Sequence, residues 1–530
     1  MKHAFAALRH PVYAVLWGAT VVSNVGVFMR DVTSAWLVAR LSDSPVWVAL
    51  VQAAATLPIF LLAIVAGALT DLLDRRRFLA IVQLYLIGVS AALTTLALTD
   101  RITVHALVAL TFLGGIGAAL IGPAWQAIAP ELVPRTELRS AIALNSMGFN
   151  VARAVGPAAG GALLGALGAT ATYGINTAGY LFVIAALLWW RRPPVPDDPL
   201  AEQFSGAVRA GLRYIRASAK MRRVLSHTAV FFLFSAAPWA LLPLVARDVL
   251  GGEAGFYGSL LGAIGLGAVL GAIVLPRLRP ALGSDGLVLG ASLAIAAVVT
   301  LVAFAPPQWV GVAAALVFGA AWTAVLTTLN ATAQAVLPNW VRGRGLAAYL
   351  MVYNGAMALG SVLWGVLASG IGVPATLVTG SACLAAAAFV SRRFPLPEGE
   401  ADLTPSNHWP EPSLAEPVPH DRGPVLVTVE YRIRREDRER FFEILGRLAE
   451  QRERDGAYAW GVAEDAEQPE TILEWFFVES WAEHLRQHRR VSRADAELQA
   501  QANRLHRGDR PPRVSHYLGL ERPPASARRR

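Results

Sequence analysis

The chain has 530 residues, 55% of them hydrophobic and 16% charged, with a formal net charge of +9 and a mean hydropathy of +0.45. Soluble domains carry about 25% charged residues, so a wholly soluble globular protein is excluded. The single cysteine, Cys383, lies in an apolar run, which excludes an intramolecular disulfide and a cysteine metal cluster.

In chain order, apolar runs of spanning length occur at 12–40, 46–69, 78–98, 104–128, 141–166 and 172–190. A second set follows at 224–249, 256–276, 286–305, 309–335, 346–369 and 374–391. A membrane-crossing helix needs about 20 apolar residues, so each run is expected to cross a bilayer. The polar, basic stretch 191–223 divides them six and six. The first run is too long for a cleaved signal peptide, and further spans follow it. Basic residues such as Arg75, Arg76, Arg77, Arg191 and Arg192 crowd one alternate set of connections, whereas the other holds Arg40, Arg101 and Arg247. By the positive-inside bias, both termini are expected in the cytoplasm of a plasma (inner) membrane. The net positive charge then reports topology, and no nucleic-acid partner is expected.

In the first span, Arg30 and Asp31 lie about ten residues from the outer end, roughly 15 Å deep at 1.5 Å per residue. An ionised group there costs at least ~2.5–3.5 kcal/mol, so it is expected to face a cavity or a partner. Adjacent helical residues point about 100° apart, so the two are not expected to form one self-paired unit. Asp31 is a candidate proton carrier and Arg30 a candidate counter-ion or anion anchor. The alternative is that the helix unwinds early and both are wet.

Between the second and third spans runs Gly67-Ala-Leu-Thr-Asp71-Leu-Leu-Asp74-Arg75-Arg76-Arg77. The spacing Gly-x-x-x-Asp-x-x-x-Arg-Arg resembles the loop between the second and third helices of major facilitator superfamily transporters, with Asp74 where that family often has glycine. The resemblance implies an all-α polytopic membrane protein with a twelve-helix, six-plus-six fold. It also implies a conformational switch at Gly67, Asp71, Arg75 and Arg76. In the fifth span Arg153 precedes Gly156-Pro157-Ala-Ala-Gly160-Gly161 by one turn. Pro157 removes a backbone donor and is expected to bend the helix. The glycines admit a neighbouring helix at close range. This Gly-Pro-x-x-Gly-Gly pattern resembles the fifth-span motif of exporters in the superfamily, which implies outward transport. Arg153 faces either the cavity or a neighbour's carboxylate.

Among uncharged polar residues in the spans, Asn24, Gln126, Asn150, His227 and Asn330 are candidates for lining a substrate cavity. The alternative is interhelical hydrogen bonding, worth about 0.6 kcal/mol each. Longer stretches, from Pro123 to Arg135, Ala143 to Pro157, Trp239 to Asp248 and Trp340 to Arg344, resemble the enterobactin-exporter-like branch, or transmembrane secretion effector family, over about residues 5–394. The second-half counterpart of the charged loop, Gly271 to Arg279, lacks the aspartate. No Walker-type Gly-x-x-x-x-Gly-Lys-Ser/Thr is present, which leaves an ion gradient, expected to be protons, as the driving force. The competing readings are facilitated import and a membrane-tethered enzyme. No cofactor is expected.

In the central loop, Phe204, Val208, Leu212 and Ile215 alternate with Arg209, Arg213, Arg216 and Lys220, as in a basic amphipathic helix on the inner leaflet, the alternative being a solvated linker helix. Residues 395–423 are proline-rich and acidic and read as a linker. Residues 424–520 read as a small α/β ferredoxin-like domain, β-α-β-β-α-β, and 521–530 as a disordered basic tail. The expected domains are therefore 1–190, 191–223, 224–394, 395–423, 424–520 and 521–530. The C-terminal domain resembles antibiotic-biosynthesis-monooxygenase-like modules, which often dimerise, so homodimerisation through it is expected. Trp475 with His484 or His488 resembles a haem-degrading arrangement, although the first strand lacks the asparagine of that group. His484 and His488, at i and i+4, have metal-ligand spacing, but a solvated helix face is the expectation, with no metal and no catalytic residues.

Overall fold

The computed structural model describes residues 6–134, 136–191, 204–338, 340–397, 406, 416–419 and 421–520. Most of the expected linker and all of the basic tail lie outside the described residues. The chain forms two compact units, one of Met1–Pro199, Val224–Ala331 and Ala347–Leu396, the other of Leu200–Arg223, Thr332–Leu346 and Pro397–Arg530.

The first unit is helical. Its elements are α1 (Pro11–Leu41), α2 (Pro45–Leu72), α3 (Arg75–Leu98), α4 (Val104–Leu132) and α5 (Leu138–Trp189), followed after the helix α6 (Phe204–Ala217) of the second unit by α7 (Ala219–Leu244). A short π-helical turn, Val245–Val249, extends α7; then come α8 (Ala254–Ala303), α9 (Gln308–Ala335), α10 (Arg342–Ile371) and α11 (Val373–Ser391). Among the described residues, ten helices are long and apolar enough to cross a membrane. Local chemistry starts several of them. Pro11, Pro45 and Pro374 stand in first turns, where a missing N–H costs nothing. The Thr103 hydroxyl accepts from the Ala106 N–H and caps α4.

Twelve runs become ten helices because α5 and α8 are 52 and 50 residues long, about twice a crossing. Each is broken by a glycine with positive φ, Gly168 (φ +76°) and Gly283 (φ +65°), both with ψ near 180°. That backbone region is open essentially to glycine alone. Contacts with α1 show a reversal at Gly168. Tyr13 and Trp17 donate to the carbonyls of Ala141 and Leu144. Further along, Gly156 and Gly160 meet Phe28 and Met29, so this leg runs parallel to α1. Beyond Gly168, Thr172 pairs with Thr33 and Gly179 meets Ser23, so the second leg runs back. In α8, Leu260 and Ile264 of the first leg and Val298, Val299 and Val302 of the second line one apolar cavity.

The second unit carries β1 (Val425–Arg432), a 3-10 turn (Arg435–Asp437), α12 (Arg438–Asp455), β2 (Ala457–Glu464), β3 (Thr471–Val478), α13 (Trp481–Arg490), α14 (Arg493–Leu505) and β4 (Arg513–Leu518). Its antiparallel sheet has the order β2-β3-β1-β4. Strand alternation sets its faces. Val427 and Phe476 are buried, whereas Trp475 and Phe477 point to the other side and are only half-buried. Phe477 stacks there on Tyr458 at 5.9 Å.

One strand position breaks the apolar pattern. Glu474 on β3 is fully buried. Its carboxylate takes the Arg452 guanidinium at 3.2 Å, the Trp460 indole N–H at 3.1 Å and the Tyr431 hydroxyl at 3.3 Å.

Helix α6 also belongs to this unit. Its buried face is Gly211 and Tyr214, while Leu212 of the expected apolar stripe is exposed; the side chains of Phe204 and Val208 lie outside the described residues. The reason is a set of partners that the helix sequence does not reveal. Arg213 pairs with Glu483 at 2.8 Å, the Tyr214 hydroxyl donates to the Val336 carbonyl at 2.8 Å, and the Arg454 guanidinium lies 5.9 Å from the Tyr214 ring.

Candidate functional site

Arg30 and Asp31 are paired, contrary to the expectation from helical angle. The Arg30 Nη2 and Nε donate to Asp31 Oδ1 at 2.7 and 3.0 Å. A guanidinium on three methylenes can fold back across a 100° difference that would separate shorter side chains. The pair is asymmetric, with the Arg30 side chain 9% exposed and that of Asp31 43% exposed. Arg30 Nη1 also reaches the Tyr180 hydroxyl at 3.3 Å. A Cβ on Gly114 of α4 would lie 3.0 Å from that same Nη1, so glycine leaves room for the guanidinium. Hydroxyls line the neighbouring helices. Ser34 bonds Tyr173 at 3.0 Å, and Ser90 donates to Asn176 at 2.8 Å.

The glycine motif of α5 works by close approach. A Cβ on Gly156 would lie 2.6 Å from Phe28 Cβ, and one on Gly160 would lie 2.8 Å from Met29 Cα. One on Gly161 would lie 2.5 Å from Gly258 Cα and 2.9 Å from the Ala254 carbonyl, on α8. Pro157 sits inside the helix, which continues past it, and the non-helical dihedral lies at Gly168. Further approaches between the first five helices and the later ones lie toward the same end. Arg247 donates to the Ala39 carbonyl and lies 3.7 Å from Asp43, and Trp36 stacks on Tyr257 at 5.6 Å.

Toward the other end, α5 is open. Ala141, Leu144, Gly148 and Ala152 are buried, while Ile142, Ser146, Met147, Phe149, Asn150 and Val151 are exposed. Arg153 is half-buried and within electrostatic reach of Tyr353 on α10. Tyr353 joins an aromatic cluster that sequence reasoning missed, in which Phe232 lies 4.4 Å from Tyr353 and 5.2 Å from Trp322. Trp239 lies 5.3 Å from Trp322, and the indole N–H groups of both have no hydrogen-bond partner among the described residues. Aromatic spacing along α7 was the available signal. The other polar candidates are dispersed. Asn24 and Asn330 are half-buried, His227 is buried, Gln126 is exposed, and exposed Asn150 donates to the Ser146 carbonyl at 2.9 Å.

The charged loop is shorter than its motif. Gly67 to Leu72 are the last turns of α2, leaving Leu73 and Asp74 as the link. Asp74 caps α3, its carboxylate accepting from the Arg77 N–H at 2.8 Å. A Cβ on Gly67 would meet open space. The side chain of Asp71 lies outside the described residues. Arg75 pairs with Glu131 at the end of α4 at 2.7 Å and also donates to the Ala127 carbonyl. Arg76 donates to the carbonyls of Leu187 and Leu188, at the C-terminal end of α5. Orphan carbonyls at a helix end favour a cation. Glu131 was not among the expected switch residues, although an acid at the end of an apolar run was there to be read.

This arrangement of long apolar helices agrees with comparison to known proteins. The model of the transmembrane secretion effector family matches residues 2–524. The chain belongs to that family of membrane transporters. Its relatives include the multidrug efflux pump Tap of Mycolicibacterium fortuitum, 26% identical over 380 residues, covering 70% of this chain and 92% of Tap. The enterobactin exporter EntS of Salmonella choleraesuis is 26% identical over 327 residues, covering 60% of this chain and 76% of EntS. The fold is similar to that of a mutant form of the nucleoside transporter NupG, with a TM-score of 0.59 at 11% identity over 72% of this chain and 99% of that one. This member of the secretion effector family is therefore a multi-pass transporter of the cell membrane.

The family match extends over the C-terminal sheet module. There the haem-like set does not assemble. Trp475 lies over Gly461 on the open face of the sheet, whereas His484 packs with Trp481 on the helix-covered face. His484 is also not on a solvated helix face, being 1% exposed. Burial, with His488 and His516 beside it, pushes its imidazole down to about 3.

Proposed function

We propose that this transporter is a proton-coupled exporter of a small molecule, working by alternating access. The observation that carries this is the Arg30–Asp31 pair inside an apolar helix, with its carboxylate as the half-exposed partner. A carboxylate that can trade a proton for its arginine couples protonation to the packing of α1 against α4 and α5. The efflux relatives, Tap and EntS, favour export as the direction.

The legs of α5 and α8 each cross once in this reading, giving twelve crossings arranged six and six. The basic connections lie in the cytoplasm with both termini. The conformation is then inward-open: α5 and α8 meet near Gly161 and Gly258 on the outer side, and α5 is bare around Asn150 on the inner side. Arg75, Arg76 and Glu131, with Asp71, form the cytoplasmic switch. Arg153 and the aromatic cluster of Phe232, Trp239, Trp322 and Tyr353 line the path. Flat rings and two indole donors without a partner among the described residues fit an amphiphile with an apolar body and an acceptor group, the chemistry of siderophores, drug-like molecules and aromatic metabolites. The ferredoxin-like module at 424–520 is not catalytic and pairs two chains through its open face.

Inverted membrane vesicles test the reading. A fluorescent amphiphile should accumulate when the interior is acidified, and Asp31→Asn should abolish accumulation while leaving counterflow intact. Accumulation by the Asp31→Asn variant at the unsubstituted rate would refute proton coupling through this carboxylate.

A further inference from the structure

The histidines of the C-terminal module have no part in the transport reading, and the site they form stands or falls apart from it. His484 and His488 lie at i and i+4 on α13, so one face of the helix presents both. His516 comes from β4, opposite Val427 of β1, and shares the helix-covered face of the sheet with Val427 and Phe476. The Nε2 atoms of His484 and His488 are 3.1 Å apart, and the rings of His484 and His516 are centred 4.6 Å apart. One nitrogen from each of the three rings lies within 4.8 Å of the others.

Packing alone is a poor account of this group. Buried ring nitrogens normally find hydrogen-bond partners, yet His516 Nε2 is buried with none among the described residues. The wall beside the rings is aromatic, with Trp481 lying 5.3 Å from His484 and 5.9 Å from His516. In a tetrahedral site with metal–nitrogen bonds of about 2.0–2.1 Å, ligand nitrogens stand about 3.3 Å apart. The His484–His488 separation already fits, and His488 and His516 are half-buried, so small ring rotations can close the remainder. Imidazole ligands suit borderline divalent metals, and three of them leave a fourth position for water or another group.

We infer that His484, His488 and His516 form a binding site for one divalent transition-metal ion, with Zn2+ the best match to a three-imidazole set.

The test uses the full chain, purified in detergent without a histidine tag, stripped with a chelator and titrated with Zn2+ alone. One equivalent should bind per chain, and the melting temperature should rise until that equivalent is reached. Co2+ in its place should give the visible absorption of a four-coordinate nitrogen site. His488→Ala and His516→Ala should each weaken Zn2+ binding by about 100-fold or more, beyond the range of outer-shell changes. His506→Gln, in the same module but outside the cluster, should leave it unchanged. Failure of the unsubstituted chain to bind stoichiometrically overturns the inference, whether or not the variants fold. Binding that survives both cluster substitutions, or that His506→Gln weakens equally, overturns it as well.

Discussion

Gly161→Ala puts the proposed closure of the outer side to a direct test. The added Cβ would stand 2.5 Å from Gly258 Cα and 2.9 Å from the Ala254 carbonyl. Carbon atoms in contact prefer about 3.5–4.0 Å, so the overlap is roughly 1 Å. Both obstructing atoms are backbone, so no side chain can rotate away, and α5 and α8 must part. Overpacking of this kind costs about 1–3 kcal/mol. At about 1.4 kcal/mol per factor of ten, the closed outer side loses roughly 5- to 150-fold in relative population. A cysteine at Ala39, fully buried beside Arg247, reports the change. With Cys383→Ala removing the native thiol, an impermeant reagent added from outside should label it roughly 5- to 150-fold faster in the Gly161→Ala background. Gly165→Ala is the control, because its Cβ would meet open space one turn further along the same helix. Gly258→Ala should act like Gly161→Ala, and the double substitution should add little, since both fill one contact. Equal labelling in the Gly161→Ala and Gly165→Ala backgrounds would refute the argument.

At the other end of the bundle, Glu131→Gln should remove a charge-assisted contact worth about 1.5–3 kcal/mol, lowering both melting temperature and transport; exchanging Arg75 and Glu131 should restore part of each. In the sheet module, Glu474→Ala leaves Arg452 buried without its carboxylate and should destabilise by about 3–5 kcal/mol, read from tryptophan fluorescence in a denaturant titration. Replacing both partners, as Glu474→Leu with Arg452→Met, should recover most of that loss. Phe477→Lys, on the open sheet face, should convert a dimer to a monomer in light scattering with little change in melting temperature; a monomeric parent chain would end that reading.

Composition and run length sufficed for a multi-pass membrane protein with a small α/β module after it, because transfer into lipid depends on which residues are present, largely regardless of distant neighbours. Strand β3 was legible to the residue, Thr471–Val478, since alternation with period two is a local signal. The close-approach glycines of α5 were legible too, but not which helix each would meet. Tertiary structure alone decided the rest. Arg30 turned onto its neighbour Asp31 because α4 and Tyr180 fix the guanidinium, which no helical-wheel angle contains. Glu131 became the partner of Arg75, and Glu474 a buried anion, through helices and strands brought together from far along the chain. Gly168 and Gly283 break α5 and α8 inside single long helices, so the number of apolar runs and the number of helices differ. His516 reached His484 and His488 only when β4 closed the sheet beside α13. Each of these depends on a partner that packing selects, and the residues adjacent in sequence carry no trace of that choice.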